Sequence, residues 1–138
     1  RSTDLDMAAQ TICDSRLFKR VRHCITENER VLTAVKALRA GKLPELGELL
    51  KASHASLRYD YEVSGLELDT LVDAANAQDC CLGARMTGAG FGGCAIALVH
   101  KAAVKDFAAR VAQAYTAKTG LTASFFTCQA GNGAQRVL

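Results

Sequence analysis

Apolar positions recur at helical spacing through the first half of the chain, and the spacing becomes strand-like after about residue 80. Leu17, Val21, Cys24, Ile25, Asn28, Leu32, Val35 and Leu38 make one stripe, which predicts a long helix over residues 14–40. Gly41 stands where a glycine ends a helix. Pro44 marks the first turn of a second helix, with Leu46, Leu49, Leu50, Ser53 and Leu57 as its face. Ser64-x-x-Glu67 reads as a capping box ahead of Leu68, Leu71, Val72 and Ala75, so a third helix is expected to run to about Ala77. Leu82, Ala84 and Met86 then alternate with Gly83, Arg85 and Thr87, as in a strand. Gly88 to Gly93 is a glycine-rich loop, and Cys94 to Val99 is a continuous apolar run of strand length. In that run Cys94 reads as a small buried apolar residue. Val104, Phe107, Ala108, Val111 and Tyr115 predict a fourth helix ended by Gly120, and Ala123 to Cys128 a last strand. Residues 130–133 read as a loop or frayed end. Helices layered on a small, mainly antiparallel sheet define an α+β domain. Three strands are few, so a fourth is expected from residues near Tyr61.

Composition narrows the picture. The 138 residues are 49% hydrophobic and 22% charged, enough for one packed domain over residues 1–138 and too apolar for disorder. No apolar run reaches the ~20 residues of a membrane span. The net charge of +3 is too small to call for a nucleic acid partner. Arg16, Lys19, Arg20, Arg22 and His23 cluster, but Glu27, Glu29 and Arg30 follow, so the cluster reads as a solvated face or a surface meeting another domain. Six cysteines without a C-x-x-C pair suggest neither a zinc ribbon nor a disulfide scaffold. Neither a signal peptide nor a transit peptide is recognisable at the start, which lacks Met and reads as processed or as part of something longer.

The segment from Arg85 to Gly93 carries the chemistry. Gly88-x-Gly90-x-x-Gly93 matches the dinucleotide fingerprint formally, but a strand follows it where that fingerprint needs a helix. Four glycines in six residues, with Phe91 among them, exceed what a turn requires. Such a loop brings backbone N–H groups close to an oxyanion. Ser53 to Glu62 is dense in polar groups, and His54 and Arg58 share a helix face.

Ala84 to Cys94 resembles the third, C-terminal motif of the galactokinases, a branch of the GHMP kinases. Lys19 to His23 with Thr26-Glu27-Asn28, Ser53 to Arg58 with Asp60 to Ser64, and Tyr115 with Lys118 to Gly120 resemble further galactokinase segments. Gly65-Leu66 stands where the family usually has a residue followed by proline. The resemblance covers roughly Asp14 to Gln129 and implies a ferredoxin-like sandwich of helices on a sheet, the C-terminal domain of these kinases. It implies a parent enzyme that phosphorylates galactose at the anomeric hydroxyl with ATP and Mg²⁺, in the cytoplasm, with no nucleic acid or membrane partner. The N-terminal half, with the sugar-binding residues and the catalytic Asp, has no counterpart in the chain, so no catalytic side chain or metal ligand is assigned. This chain alone is then expected to be inactive and to bind neither ATP nor Mg²⁺. By the resemblance Thr87, Gly88, Ala89, Gly90, Phe91, Gly92 and Gly93 line the phosphate and substrate cleft. Arg85, His54, Arg58 and Asp60 support it from behind. The alternative is a non-catalytic, galactokinase-like module that senses a sugar or nucleotide.

Overall fold

The computed structural model describes residues 2–129 and Gly131, so the expectation for residues 130–133 falls almost wholly outside the described residues. Helix α1 (Ser2–Thr11), which the hydrophobic pattern did not predict, precedes the long helix α2 (Ser15–Arg39). Asp14 caps α2: its carboxylate accepts the N–H groups of Arg16 and Leu17 at 2.8 and 3.1 Å, which holds the carboxyl below its ordinary pKa. At the other end Gly41 takes φ +68°, and the N–H groups of Gly41 and Lys42 fold back onto the carbonyls of Leu38 and Ala37. Helix α3 (Leu43–Ser56) runs on through a π-helical turn, Leu57–Tyr61, and α4 (Leu66–Asn76) follows. Strands β1 (Cys81–Thr87) and β2 (Cys94–Val99) form an antiparallel hairpin. Helix α5 (Val104–Thr119) ends at Gly120, φ +72°.

The core lies between α4, α5 and the hairpin. Val72, Ala75, Cys81, Ala84, Phe107 and Val111 are buried there, and Ala95 and Val99 pack against them. Leu57, Leu68 and Met86, with Val63, form a second cluster beneath the start of the glycine loop. Helix α3 lies against β1 at Gly47 and Gly83. A Cβ on Gly47 would overlap the carbonyl group of Leu82, and one on Gly83 the carbonyl group of Gly47. Both glycines are there for space, since neither has a positive φ.

The structure departs from the sequence pattern at five places. The apolar stripe of α2 faces outward, with Leu17, Leu32 and Leu38 more than half exposed. Its inner face carries His23, Glu27, Arg30 and Ala37, because the neighbouring surface of α3 and the π-turn is itself polar. The capping box does not form: Gly65 is the N-cap of α4 and has no side chain to accept a first-turn N–H. Residues near Tyr61 make the π-turn rather than a strand, and Ala123–Cys128 joins no sheet among the described residues. Cys94 is exposed, because none of the described residues covers its face of β2.

Gly47→Ala should lower the unfolding free energy by about 2–3 kcal/mol, although alanine gains about 1 kcal/mol in helix propensity. Urea unfolding of the two proteins checks this, and a stabilised variant would contradict the close packing of α3 on β1.

Candidate functional site

The hairpin connection holds five consecutive or near-consecutive positive φ angles: Gly88 +85°, Gly90 +86°, Phe91 +58°, Gly92 +113° and Gly93 +105°. Glycine is required most plainly at Gly90, where a Cβ would overlap the carbonyl oxygen of Val63. That same oxygen accepts the Phe91 N–H at 2.8 Å. One carbonyl thus fixes the loop at two adjacent residues, and Phe91 is held in a conformation that a bulky side chain rarely adopts. Its ring is 76% exposed, so contact with the core does not hold it there. Behind the loop lies a cavity of about 410 Å³ between Phe91–Gly93, Glu67, Leu71 and Tyr115.

Val63 is placed by the elements before it. The π-turn exits through Glu62, a left-handed residue at φ +57°, and the Val63 N–H returns to the Leu57 carbonyl at 3.1 Å. Glu62 bridges Lys19 at 3.2 Å and Arg20 at 2.6 Å, and these two cations hold its carboxyl below its ordinary pKa. Arg20 also donates to the Asp60 carbonyl, and Arg22 pairs with the Asp60 carboxylate. The basic cluster of α2 is therefore a clamp on the π-turn rather than a solvated face. Ser56 donates to Asp60 at 3.1 Å, so the His23 Nδ1 lying 3.0 Å from the Ser56 hydroxyl oxygen carries the proton. His23 also stacks on Tyr61, ring centroids 4.6 Å apart.

A second set of side chains holds the strand that feeds the loop. The Met86 N–H donates to His54 Nδ1 at 3.3 Å, which puts the His54 proton on Nε2. Nε2 lies 3.3 Å from Asp69 Oδ1, a charge-assisted contact. Arg58 grips Asp69 at 3.0 Å and Asp73 at 3.3 Å. Arg85 donates through Nε to the Met86 carbonyl at 2.8 Å and reaches Glu27 at 3.3 Å. Glu27 also accepts from Ser53 at 2.5 Å. Of the residues singled out by sequence, His54 and Arg85 meet at Met86, one residue before Thr87, and Arg58 reaches it only through Asp69 and His54. Asp60 belongs to the separate clamp with α2. Sequence reasoning missed Val63, whose contribution is a backbone carbonyl that no side-chain pattern reports. It also missed Asp69, Glu27 and Asn76. Among the described residues no three His, Cys, Asp or Glu side chains gather as metal ligands.

The family profile described as GHMP kinases C terminal matches residues 34–117. The chain belongs to the GHMP kinase C-terminal family. It is 56% identical over 124 residues to the galactokinase of Exiguobacterium sibiricum, covering 90% of this chain and 32% of that protein. The Streptococcus thermophilus galactokinase is 53% identical over 133 residues, 96% of this chain and 34% of that one. The crystal structure of Lactococcus lactis galactokinase complexed with galactose matches with a TM-score of 0.92 and 51% identity, covering 99% of this chain and 35% of that chain. Mevalonate kinase of L. major in complex with R-mevalonate matches with a TM-score of 0.56 at 30% identity, over 84% of this chain and 33% of that one. The chain thus spans about a third of the length of the curated relatives it matches. No helix among the described residues is long and apolar enough to cross a membrane.

His54 and His23 both sit below the ordinary value of 6.5, because burial disfavours their charged forms. At His54 the Asp69 and Asp73 carboxylates oppose this and Arg58 reinforces it; at His23, Glu27 and Asp60 oppose it while Arg30 and Arg85 reinforce it. As pH falls, the unfolded chain takes up these protons first. Stability is therefore full above pH 6.5 and falls as pH drops below it. The urea midpoint should drop between about pH 7.5 and about pH 5.5, and less so in His54→Asn. A midpoint equally pH-dependent in that variant would exclude His54 from the effect.

Proposed function

We propose that this chain is the C-terminal part of a galactokinase and that its Thr87–Gly93 loop forms one wall of the phosphoryl-transfer cleft. The observation that carries the reading is the run of positive φ angles pinned to the Val63 carbonyl, in a chain about half identical to galactokinases. Successive N–H groups in such a run make a concave donor surface for phosphate oxygens. Phosphoryl transfer depends on positioning and on stabilising charge at those oxygens, which suits a rigid loop of donors. Glu67 lines the cavity behind the loop, and its negative charge there favours the loop's outer side for the phosphates. The Phe91 N–H is already committed to Val63, and the donors offered are those of the glycines around it. Arg85, His54 and Arg58 act through Met86 by holding the strand end, while Asp60 acts through the π-turn.

In this reading ATP supplies the transferred phosphoryl group and galactose the anomeric hydroxyl. Mg²⁺ travels with ATP, and its ligands, the catalytic base and the sugar-binding residues come from an N-terminal domain outside residues 1–138. The parent enzyme is placed in the cytoplasm. This chain alone should not phosphorylate galactose, and robust turnover by the purified 138-residue protein would contradict the reading.

The loop is tested by grafting this chain onto Lactococcus lactis galactokinase in place of the matching third. Gly90→Val in that chimera should cut kcat/KM for galactose about a hundredfold or more, since displacing the loop by an ångström misplaces its donors. Near-normal kinetics would remove the loop from the chemistry. A parent chain that binds galactose and ATP but never transfers phosphate would favour the sensing module.

A further inference from the structure

The outer edge of β1 gives backbone N–H groups to side chains at two residues, and the two acceptors differ in kind. The Ala84 N–H donates to the side-chain oxygen of Asn76 at 2.8 Å. Two residues on, the Met86 N–H donates to His54 Nδ1 at 3.3 Å. An amide oxygen accepts at any pH. An imidazole nitrogen accepts only while the ring is neutral, because the imidazolium carries a proton on both nitrogens.

His54 stands between two elements. Its Nδ1 meets the end of β1, and its Nε2 meets Asp69 of α4 at 3.3 Å. Asp73 lies one turn further along α4, and Arg58 of the π-turn grips both carboxylates. The other charged groups packed on α3 are paired elsewhere: Glu27 of α2 with Arg85 of β1, and Asp60 with Arg22. A proton added at Nδ1 therefore exchanges one tie for another. The imidazolium is drawn to Asp69 and Asp73, while its new N–H faces the Met86 N–H, donor against donor. His54 is 4% exposed, so the Met86 N–H is left buried without its acceptor.

The other contact of α3 with β1, Gly47 against Gly83, contains no titratable group and is unaffected. The loosening is confined to the end of the strand that enters the glycine loop. Met86 passes it on. Its side chain packs with Leu57, Leu68 and Val63, and its Cε lies 3.0 Å from where a Cβ on Gly90 would stand.

We propose that His54 is a positioning residue for the glycine loop and acts through its protonation state: neutral, it holds the Met86 end of β1 against α3; protonated, it releases that end and the loop loses its place. The effect on activity rests on the reading of the loop as a wall of the phosphoryl-transfer cleft, while the exchange of contacts does not. Burial disfavours the charged ring, Arg58 reinforces this, and Asp69 and Asp73 oppose it, so the midpoint of release lies below pH 6.5.

Imidazole nitrogen shifts and amide exchange on the labelled 138-residue chain, from about pH 8 to about pH 5, test the exchange of contacts. At the upper end His54 should carry its proton on Nε2. As the ring titrates, the Met86 protection factor should fall at least about tenfold with the same midpoint, as the loss of one buried hydrogen bond requires. Protection at Ala84 should stay within about twofold. In His54→Asn, whose amide oxygen can take the place of Nδ1, Met86 protection should not titrate. Asp69→Asn removes an attraction for the imidazolium and should move the midpoint to lower pH. In the Lactococcus lactis chimera, the ratio of kcat at about pH 5 to kcat at about pH 7.5 should be at least about threefold higher with His54→Asn, and the galactose KM should change less than kcat. Met86 protection that ignores the state of His54, a proton on Nδ1 at the upper end, or a fall shared equally by Ala84 would each overturn the proposal. Equal pH profiles for the two chimeras, in an enzyme that Gly90→Val still cripples, would overturn it too. A chimera insensitive to Gly90→Val would instead remove the loop from the chemistry, and the effect on activity with it.

Discussion

The carbonyl oxygen of Val63 is the constraint on which the rest of this architecture turns. It accepts the Phe91 N–H and leaves no room for a side chain at Gly90. The oxygen is in position because the π-turn overwinds the end of α3 and Glu62 then turns left-handed. Lys19, Arg20 and Arg22 fasten that turn to α2. Ion pairs this exposed each stabilise by under about 1 kcal/mol, so their effect is on position more than on stability. Four links therefore join α2 to the glycine loop: cation to carboxylate, carboxylate to π-turn, turn to Val63, and Val63 to loop.

The inward polarity of α2 follows from the same arrangement. A helix that grips Asp60, Glu62 and Arg85 must present His23, Glu27 and Arg30 to the body of the domain. Its apolar residues are then left outside. An apolar strip of this kind marks a surface made to meet another one. The inner layer of α2 is tied into a network: Glu27 serves Ser53, Arg30 and Arg85, and Ser56 lies between His23 and Asp60. Removing one member leaves its partners buried without hydrogen bonds, which costs more than the bond itself contributes.

Local signals were legible in the sequence where the physics is local. Asp14, Gly41, Pro44 and Gly120 mark helix ends through their own backbone or side-chain chemistry, and the observed ends fall within about two residues of them. The loop stood out because four glycines in six residues have few other uses. The orientation of α2 was not legible, since a stripe shows that one face is apolar but not which way it points. Ala123–Cys128 has the composition of a strand, but pairing is a property of two segments. Val63 left no trace in the pattern because it acts through its backbone. Gly47 and Gly83 looked like ordinary glycines until α3 was seen lying on β1.

The pinning of the loop by Val63 is tested most directly by the scalar coupling transmitted through the hydrogen bond from the Phe91 amide nitrogen to the Val63 carbonyl carbon. It can be measured by NMR on the labelled 138-residue chain. A resolved coupling, present in the parent chain and lost in Gly90→Val while β1 and α5 stay folded, is the result predicted. Absence of the coupling in the parent chain, with the Phe91 amide exchanging as fast as that of Ala89, would contradict it.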